Sequence, residues 1–168
     1  MSLSMYQASV PVFVRMLGNL SAILDKANAY AETKKIAPSV LLGSRLAPDM
    51  LPLSVQIQIA CDSAARGTAR LAGVDLPSNP DTETTFAEFQ ARIARTIEFV
   101  KTVRPEQIDG SEERSITLPM RTGEMKFQGQ EFLLGFTLPN LFFHITTAYA
   151  ILRHNGLDIG KMDYIGKP

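Results

Sequence analysis

The sequence has one cysteine, two histidines and no tryptophan among its 168 residues. The single Cys61 excludes an internal disulfide and cannot assemble a zinc cluster by itself. A net charge is also missing, because 17 Lys and Arg residues balance 17 Asp and Glu residues. The longest run of positive charge is the pair Lys34-Lys35. We therefore expect no nucleic-acid partner and no anionic membrane partner.

Long apolar runs are scarce as well. The most apolar early stretch, "ASVPVFVRMLGNL", carries Arg15 and lacks the basic start and the small-residue cleavage site of a signal peptide. No run approaches the roughly 20 apolar residues of a transmembrane helix, so we expect a cytoplasmic protein. The length and the 45% hydrophobic content predict a single domain, residues 1–168, with a sizeable core.

Two helices are predicted in the first half of the chain by apolar residues at helical spacing. The first spans residues 4–31, and its Pro11 either follows a cap at Ser9 or kinks a longer helix. A proline-rich connection with one helical turn at residues 39–42 comes next. The second helix runs from about residue 52 to residue 72 and ends at Gly73, which is typical of a left-handed cap.

The second half contains two further predicted helices and a hairpin. Thr85 and Glu88 form a capping box that opens the third helix. Its apolar stripe is Phe86, Phe89, Ile93, Ile97 and Val100. Apolar residues then alternate on both sides of Thr122-Gly123, which predicts a β-hairpin. The fourth helix spans residues 130–155, and we expect a kink at its Pro139. The chain therefore reads as an all-α four-helix bundle with a small β-hairpin before the last helix.

The two histidines raise the question of a metal site. His144 and His154 lie ten residues apart on the fourth helix, so they differ by roughly 80° in direction and roughly 15 Å in height. They cannot share one metal ion, because a helical pair of ligands needs a spacing of three or four residues. Asn140 and Ala148 occupy the positions four residues before and after His144. We expect no metal site and no cofactor.

A polar stripe remains on the fourth helix, formed by Asn140, His144 and Thr147 just after the proline. In one interpretation, His144 is a buried residue that is satisfied by hydrogen bonds to neighbouring helices. In the other, the stripe is the polar floor of a pocket that binds a small molecule. His154, by contrast, suits a helix C-terminus, where a protonated imidazole is stabilised by the helix dipole.

The second helix carries polar residues that bear on the same question. Gln58, Asp62 and Arg66 are spaced four residues apart, so Asp62 and Arg66 have the spacing of a surface ion pair. The alternative is that Gln58 or Asp62 faces His144 across the bundle, where a carboxylate would raise the pKa of the imidazole. Cys61 lacks a basic neighbour in sequence and suits a small core position better than a nucleophile.

Four segments together resemble a bacterial family of domains of unknown function, numbered nineteen ninety-three, over nearly the whole chain. These segments are "SMYQASVPVFVRMLGNLSAIL", "RLAPDMLPLSVQIQIACD", "DTETTFAEFQARIARTIEFV" and "LPNLFFHITTAYAILRHNGLDIGKMDY". That family is similar in fold to the DinB/YfiT-like bundles, which include metal-dependent hydrolase candidates and thiol-dependent transferases. The resemblance therefore implies the DinB/YfiT-like four-helix bundle.

The wider group typically binds a divalent metal through three histidines, one on the second helix and two, four residues apart, on a later helix. Here only His144 matches, since its companion position is Ala148 and the second helix has no histidine. The resemblance thus implies a DinB-like protein without the usual metal site. The polar stripe and the second helix supply the candidates for binding a small molecule, which are Asn140, His144, Thr147, Gln58 and Asp62.

The alternative is a DinB-like metal- or thiol-dependent hydrolase or transferase. His144 would then act as a general acid or base, or would bind a metal together with Asp62. Whether the protein is an enzyme stays open at this stage.

The fourth helix also bears on assembly, because it is apolar on nearly all sides. Such a helix must be covered all round, and one bundle leaves part of each helix facing outward. The surplus consists of Leu141, Phe142, Phe143, Ile145, Tyr149 and Ile151. We expect a homodimer that covers it, unless the tail, residues 157–165, supplies the cover.

Overall fold

A computed structural model describes residues 3–120 and 122–166 of the chain, which is mostly helical. In chain order, the first five helices are α1 (Met5–Lys34), α2 (Pro38–Leu42), α3 (Leu53–Ala72), α4 (Phe86–Thr102) and α5 (Pro105–Ile108). An antiparallel hairpin follows, with strands β1 (Ser115–Met120) and β2 (Gly123–Gln128). The last helical run consists of α6 (Gly129–Glu131), a π-helical segment (Phe132–Thr137) and α7 (Leu138–His154), and a short α8 (Lys161–Ile165) comes after it.

The start of α1 decides between the two interpretations of Pro11. Ser4 accepts the backbone N–H of Gln7 and forms a capping box with it, so the helix begins before Pro11 and contains it. Ser9 is not a cap, because its buried hydroxyl donates to the carbonyl of Met5 at 2.7 Å. The helix also extends three residues past the predicted end, to Lys34.

The predicted caps of the next two long helices are confirmed. Helix α3 ends at Gly73, whose φ of 68° lies in the left-handed region that glycine tolerates. At the start of α4, Thr85 accepts the N–H of Glu88, and the Glu88 carboxylate accepts the N–H of Thr85 at 3.0 Å. These caps satisfy backbone donors that the first turn leaves free.

The hairpin lies where the sequence predicts it. Met120 pairs with Gly123, and the buried side chains of β1 are Ile116 and Leu118. Of the two residues between the strands, Arg121 lies outside the described residues. Phe127 on β2 contacts the aromatic rings of the π-helical segment, so the hairpin packs on the start of the last helical run.

The last helical run differs from the single helix predicted for residues 130–155. Six residues before α7 are π-helical, and Pro139 follows as the second residue of α7. Proline lacks a backbone donor and crowds the carbonyl four residues earlier, which here belongs to Gly135 inside the π-helical segment. The irregularity predicted at Pro139 therefore takes the form of a wider turn just upstream.

One hydrophobic cluster runs from Met5 to Ile159 and includes residues of all four long helices. Helix α3 packs mainly on α7 and on α4, while α1 packs mainly on α4. Among the described residues, α1 is the one helix whose length and mean hydropathy of 1.2 would allow it to cross a membrane. This is weak evidence for a membrane span, because 44% of the apolar window is already buried inside the fold and core helices pass the same test.

The tail covers part of the apolar surplus of α7. Leu141, Ile145 and Ile151 are buried in the core, and Phe142 and Tyr149 are half-buried. Tyr164 of α8 packs edge-on against Tyr149 with ring centroids 6.2 Å apart. Phe143 stays 56% exposed, so the tail leaves part of this helix uncovered.

Candidate functional site

His144 is buried between α3 and α7 and is hydrogen-bonded to α3. Its Nδ1 lies 2.7 Å from Oε1 of Gln56, and Nε2 of Gln56 donates to the carbonyl of Leu51 at 2.9 Å. Because the amide nitrogen of Gln56 is already the donor to Leu51, its oxygen accepts and His144 Nδ1 carries the proton. Burial lowers the pKa of His144 below its ordinary 6.5, so the ring is neutral at neutral pH.

The other two members of the polar stripe lie in different surroundings. Asn140 is half-buried and donates its side-chain N–H to the hydroxyl of Ser63 on α3 at 2.8 Å. Thr147 is buried, and its hydroxyl donates to the carbonyl of Phe143 one turn earlier at 2.8 Å. The stripe is thus one helix face, but of its three residues only Asn140 lines the cleft between α3, the hairpin and the π-helical segment.

Gln58 and Asp62 of α3 contact Glu83 and Arg92, not His144. Arg92 of α4 is fully buried, and its guanidinium contacts Asp62 and Glu83 at 2.9 and 3.0 Å. Gln58 donates to the same Glu83 at 3.1 Å. Asp62 also pairs with Arg66 at 3.3 Å, as its spacing predicts. Gln58 and Asp62 therefore belong to the ion cluster around Arg92, and among the described residues no carboxylate raises the pKa of His144.

Electrostatics explain why this cluster holds together. Burial by itself would lower the pKa of Arg92, but the hydrogen bonds and charges of Glu83 and Asp62 raise it. Burial would likewise raise the pKa of Glu83, but hydrogen bonds from Gln58 and Arg92 lower it. Both groups stay ionised, so the cluster ties the loop before α4 to α3.

A cleft lies beside this cluster, where α3, the hairpin and the π-helical segment meet. Its volume is about 350 Å³, which is the size of a small-molecule site. The apolar wall comes from all three elements and the polar side chains come mainly from α3. Its lining includes Asp62, Arg66, Gly67, Arg70, Leu118, Phe136, Thr137 and Asn140.

The π-helical segment brings Thr137 to this cleft. Thr137 is 2% exposed, and its hydroxyl has no hydrogen-bond partner in the described part of the chain. Gly67 makes the approach possible, because a Cβ on it would lie 2.5 Å from Cγ2 of Thr137. Single π turns inside helices are often found at functional sites. A buried hydroxyl without a hydrogen-bond partner destabilises the fold, so its presence calls for an explanation such as a ligand that hydrogen-bonds to it.

The sequence patterns point to neither Arg70 nor Thr137 as a site residue. Arg70 stands near the end of a helix and Thr137 in an apolar stretch, and their neighbours in space come from distant parts of the chain. Arg92 does leave a signal, because it stands between Phe89 and Ile93 on the apolar face of α4. An arginine at a core position implies a buried anionic partner.

The residues present do not fit the metal site that the DinB-like fold implies. Helix α3 has no histidine, and the position four residues after His144 is Ala148. Within residues 3–120 and 122–166, no three His, Cys, Asp or Glu side chains are grouped to hold an ion. Nδ1 of His144 is committed to Gln56 and both oxygens of Asp62 to arginines.

Comparison with known proteins relates the fold to that of a DinB family member. The chain is similar to the crystal structure of a DinB family member from Shewanella denitrificans, with 44% sequence identity and a TM-score of 0.89. The match covers 97% of this chain and 92% of that one. The family model described as Domain of unknown function (DUF1993) matches residues 5–165, so the chain belongs to that family. No curated protein matches it significantly.

Proposed function

We propose that this protein is a soluble, cytoplasmic, single-domain DinB-like four-helix bundle that binds a small molecule in the cleft between α3, the hairpin and the π-helical segment. The observation that carries the proposal is the unpaired, buried hydroxyl of Thr137 at the wall of a 350 Å³ cleft. Leu118 and Phe136 supply apolar surface in the same cleft. The mixture of apolar walls and a few polar groups is typical of ligand sites.

Of the polar stripe, the proposed site includes Asn140 and does not include His144. Asn140 lines the cleft and is held by Ser63, whereas His144 is hydrogen-bonded to Gln56 at a position that does not line it. Asp62 is at the cleft wall, and Gln58 is linked to it through Glu83 and Arg92. His144 and Thr147 would therefore position α7 and would not touch the ligand.

Two threonine-to-valine variants test this proposal. Thr137 and Thr68 are both buried with unpaired hydroxyls, but only Thr137 lines the cleft. Replacing either with valine removes an unsatisfied polar group at nearly constant shape, so neither variant should lose stability. A fragment library screened by ¹H–¹⁵N NMR should give ligands that shift the amide signals of Gly67 and Asn140. Thr137→Val should weaken their binding and Thr68→Val should not.

Two results would count against this site. Fragments that shift only signals remote from Gly67 would place binding elsewhere. Equal binding by the wild type and both threonine variants would show that the Thr137 hydroxyl serves no ligand.

The alternative, an enzyme that uses His144, has less support from the geometry. A metal site built on Asp62 and His144 is disfavoured, because both oxygens of Asp62 contact arginines and Nδ1 of His144 contacts Gln56. The thiol of Cys61 is no substitute, because burial raises its pKa to about 12. His144 keeps an unprotonated Nε2 that could act as a base, and loss of a measured activity in His144→Gln at unchanged stability would favour this alternative.

We also propose a homodimer. Leu134 and Phe143 on the last helical run are more than half exposed, and large apolar side chains at the surface are often covered by a second copy. Light scattering should give twice the mass of 18.5 kDa. Phe143→Asp should reduce it to the monomer mass, whereas Val40→Asp, at an exposed position on α2, should not. A monomer mass for the wild type would contradict the proposal.

A further inference from the structure

Arg70 is the one cleft cation without an anionic partner among the described residues. Its guanidinium makes no ion pair or side-chain hydrogen bond there, although Arg70 is half-buried and lines the cleft. Arg92 has three carboxylate partners, and Arg66 has Asp62. The guanidinium of Arg70 therefore lacks a direct anionic contact, whereas those of Arg66 and Arg92 have one.

The surroundings of Arg70 make its unpaired positive charge unfavourable in the protein without ligand. Burial lowers the pKa of Arg70, and the positive charge of Arg66, one helical turn earlier, lowers it further. A bound anion would relieve the repulsion between the two guanidinium groups and would replace the lost hydration of Arg70 with hydrogen bonds.

We propose that the cleft binds a small amphipathic monocarboxylate, with Arg70 as the residue that pairs with its carboxylate. Thr137 and the amide of Asn140 offer further polar contacts at the same wall, and the apolar side chains of the hairpin and of the π-helical segment enclose the rest of the ligand. This inference deepens the small-molecule-binding function proposed above and rests on it.

Charge favours a carboxylate over a phosphate monoester. The cleft wall carries Arg66, Arg70 and Asp62, and the first and last of these already pair with each other. Among the described residues, Arg70 is the lining cation that no carboxylate contacts, so it offers a single positive charge for pairing, which a monoanion matches. A dianion would leave negative charge uncompensated beside Asp62. The planar fork of an arginine also matches the two oxygens of a carboxylate.

The experiment uses three probes with the same six-carbon chain. Hexanoate, hexan-1-ol and hexyl phosphate are titrated into the full chain, and binding is followed by the ¹H–¹⁵N signals of Gly67 and Asn140. We expect hexanoate to bind the wild type more tightly than either other probe. Arg70→Gln should weaken hexanoate by about 10- to 100-fold, as expected for a lost charge-assisted hydrogen bond, and should leave hexan-1-ol unchanged.

Two further variants separate the role of Arg70 from a general effect of charge. Arg70→Lys keeps the charge and loses the fork, so it should fall between the wild type and Arg70→Gln. Arg104→Gln removes a well-exposed positive charge outside the cleft and should bind hexanoate like the wild type.

The outcomes distinguish this inference from the function on which it rests. If hexanoate and hexan-1-ol bind equally, or if Arg70→Gln binds hexanoate like the wild type, the carboxylate assignment is overturned while small-molecule binding stands. Tighter binding of hexyl phosphate also overturns it. If no probe and no library fragment shifts the cleft signals, both proposals fail.

Discussion

Replacing Arg92 with methionine should destabilise the protein more than any other single charge removal among the described residues. Arg92 is fully buried, and its two terminal nitrogens contact Asp62, Asp81 and Glu83 at 2.9 to 3.0 Å. Methionine fills a similar volume but leaves these carboxylates without their cation. The cost depends on how well each carboxylate can find water instead.

The magnitude follows from the exposure of the three carboxylates. Asp81 is 62% exposed and needs no partner, and Asp62 is 22% exposed and keeps Arg66. The side chain of Glu83 is only 6% exposed and would keep Gln58 as its remaining side-chain partner. Breaking a buried ion pair on one side costs about 3–5 kcal/mol. Because a single carboxylate is left buried, and the burial of Arg92 itself is no longer required, we expect a loss of about 3 kcal/mol in the free energy of unfolding.

Urea denaturation followed by circular dichroism measures this loss. In the double variant Arg92→Met/Glu83→Gln, most of the loss should be recovered, because the uncompensated charge is gone. The pH dependence offers a second check. The low pKa of Glu83 makes its contribution to the wild type present above the ordinary value of 4.5 and lost as the pH falls through the folded-state pKa. The deficit of Arg92→Met should therefore shrink in acid.

A loss below about 0.5 kcal/mol for Arg92→Met would refute this reasoning, since it would show that desolvation cancels the attraction within the cluster. Additive effects of the two substitutions would refute the part assigned to Glu83.

The remaining predictions concern burial elsewhere. Burial lowers the pKa of His144 below 6.5, so its neutral ring contributes stability that is complete above pH 6.5 and is lost as the pH falls to the folded-state pKa. Urea titrations at several pH values should show that the free energy of unfolding of His144→Gln lacks this pH dependence. The same pH dependence in both proteins would contradict the prediction. Gly18→Ala should stabilise α1 by up to about 1 kcal/mol, because a Cβ at this position meets no other atom. Gly129→Ala should destabilise the protein, because its Cβ would collide with the Ser111 carbonyl. A higher melting temperature for Gly129→Ala than for Gly18→Ala would contradict this packing. Cys61, with a pKa near 12, should react with iodoacetamide only as the chain unfolds, and rapid labelling of native protein would contradict its burial.

Local sequence signals determined the helices, their caps and the hairpin. The Thr85–Glu88 capping box and the left-handed Gly73 depend on residues within one turn of the helix end. The alternation around Thr122-Gly123 depends on neighbours within one hairpin. Such features need no knowledge of the rest of the chain, because their partners lie a few residues away. For the same reason, the sequence by itself excluded a metal shared by the two histidines.

Tertiary structure alone decided which polar groups meet. His144 and its partner Gln56 are 88 residues apart in sequence, and Arg92 and Asp62 are 30 apart. Several residues on α3 could face α7 with the same helical spacing, so only the packing of the two helices selects Gln56 for His144 and sends Asp62 to Arg92. The π turn before Pro139 then sets Thr137 against Gly67. The cleft exists because three elements from different parts of the chain converge, and no local pattern carries that information.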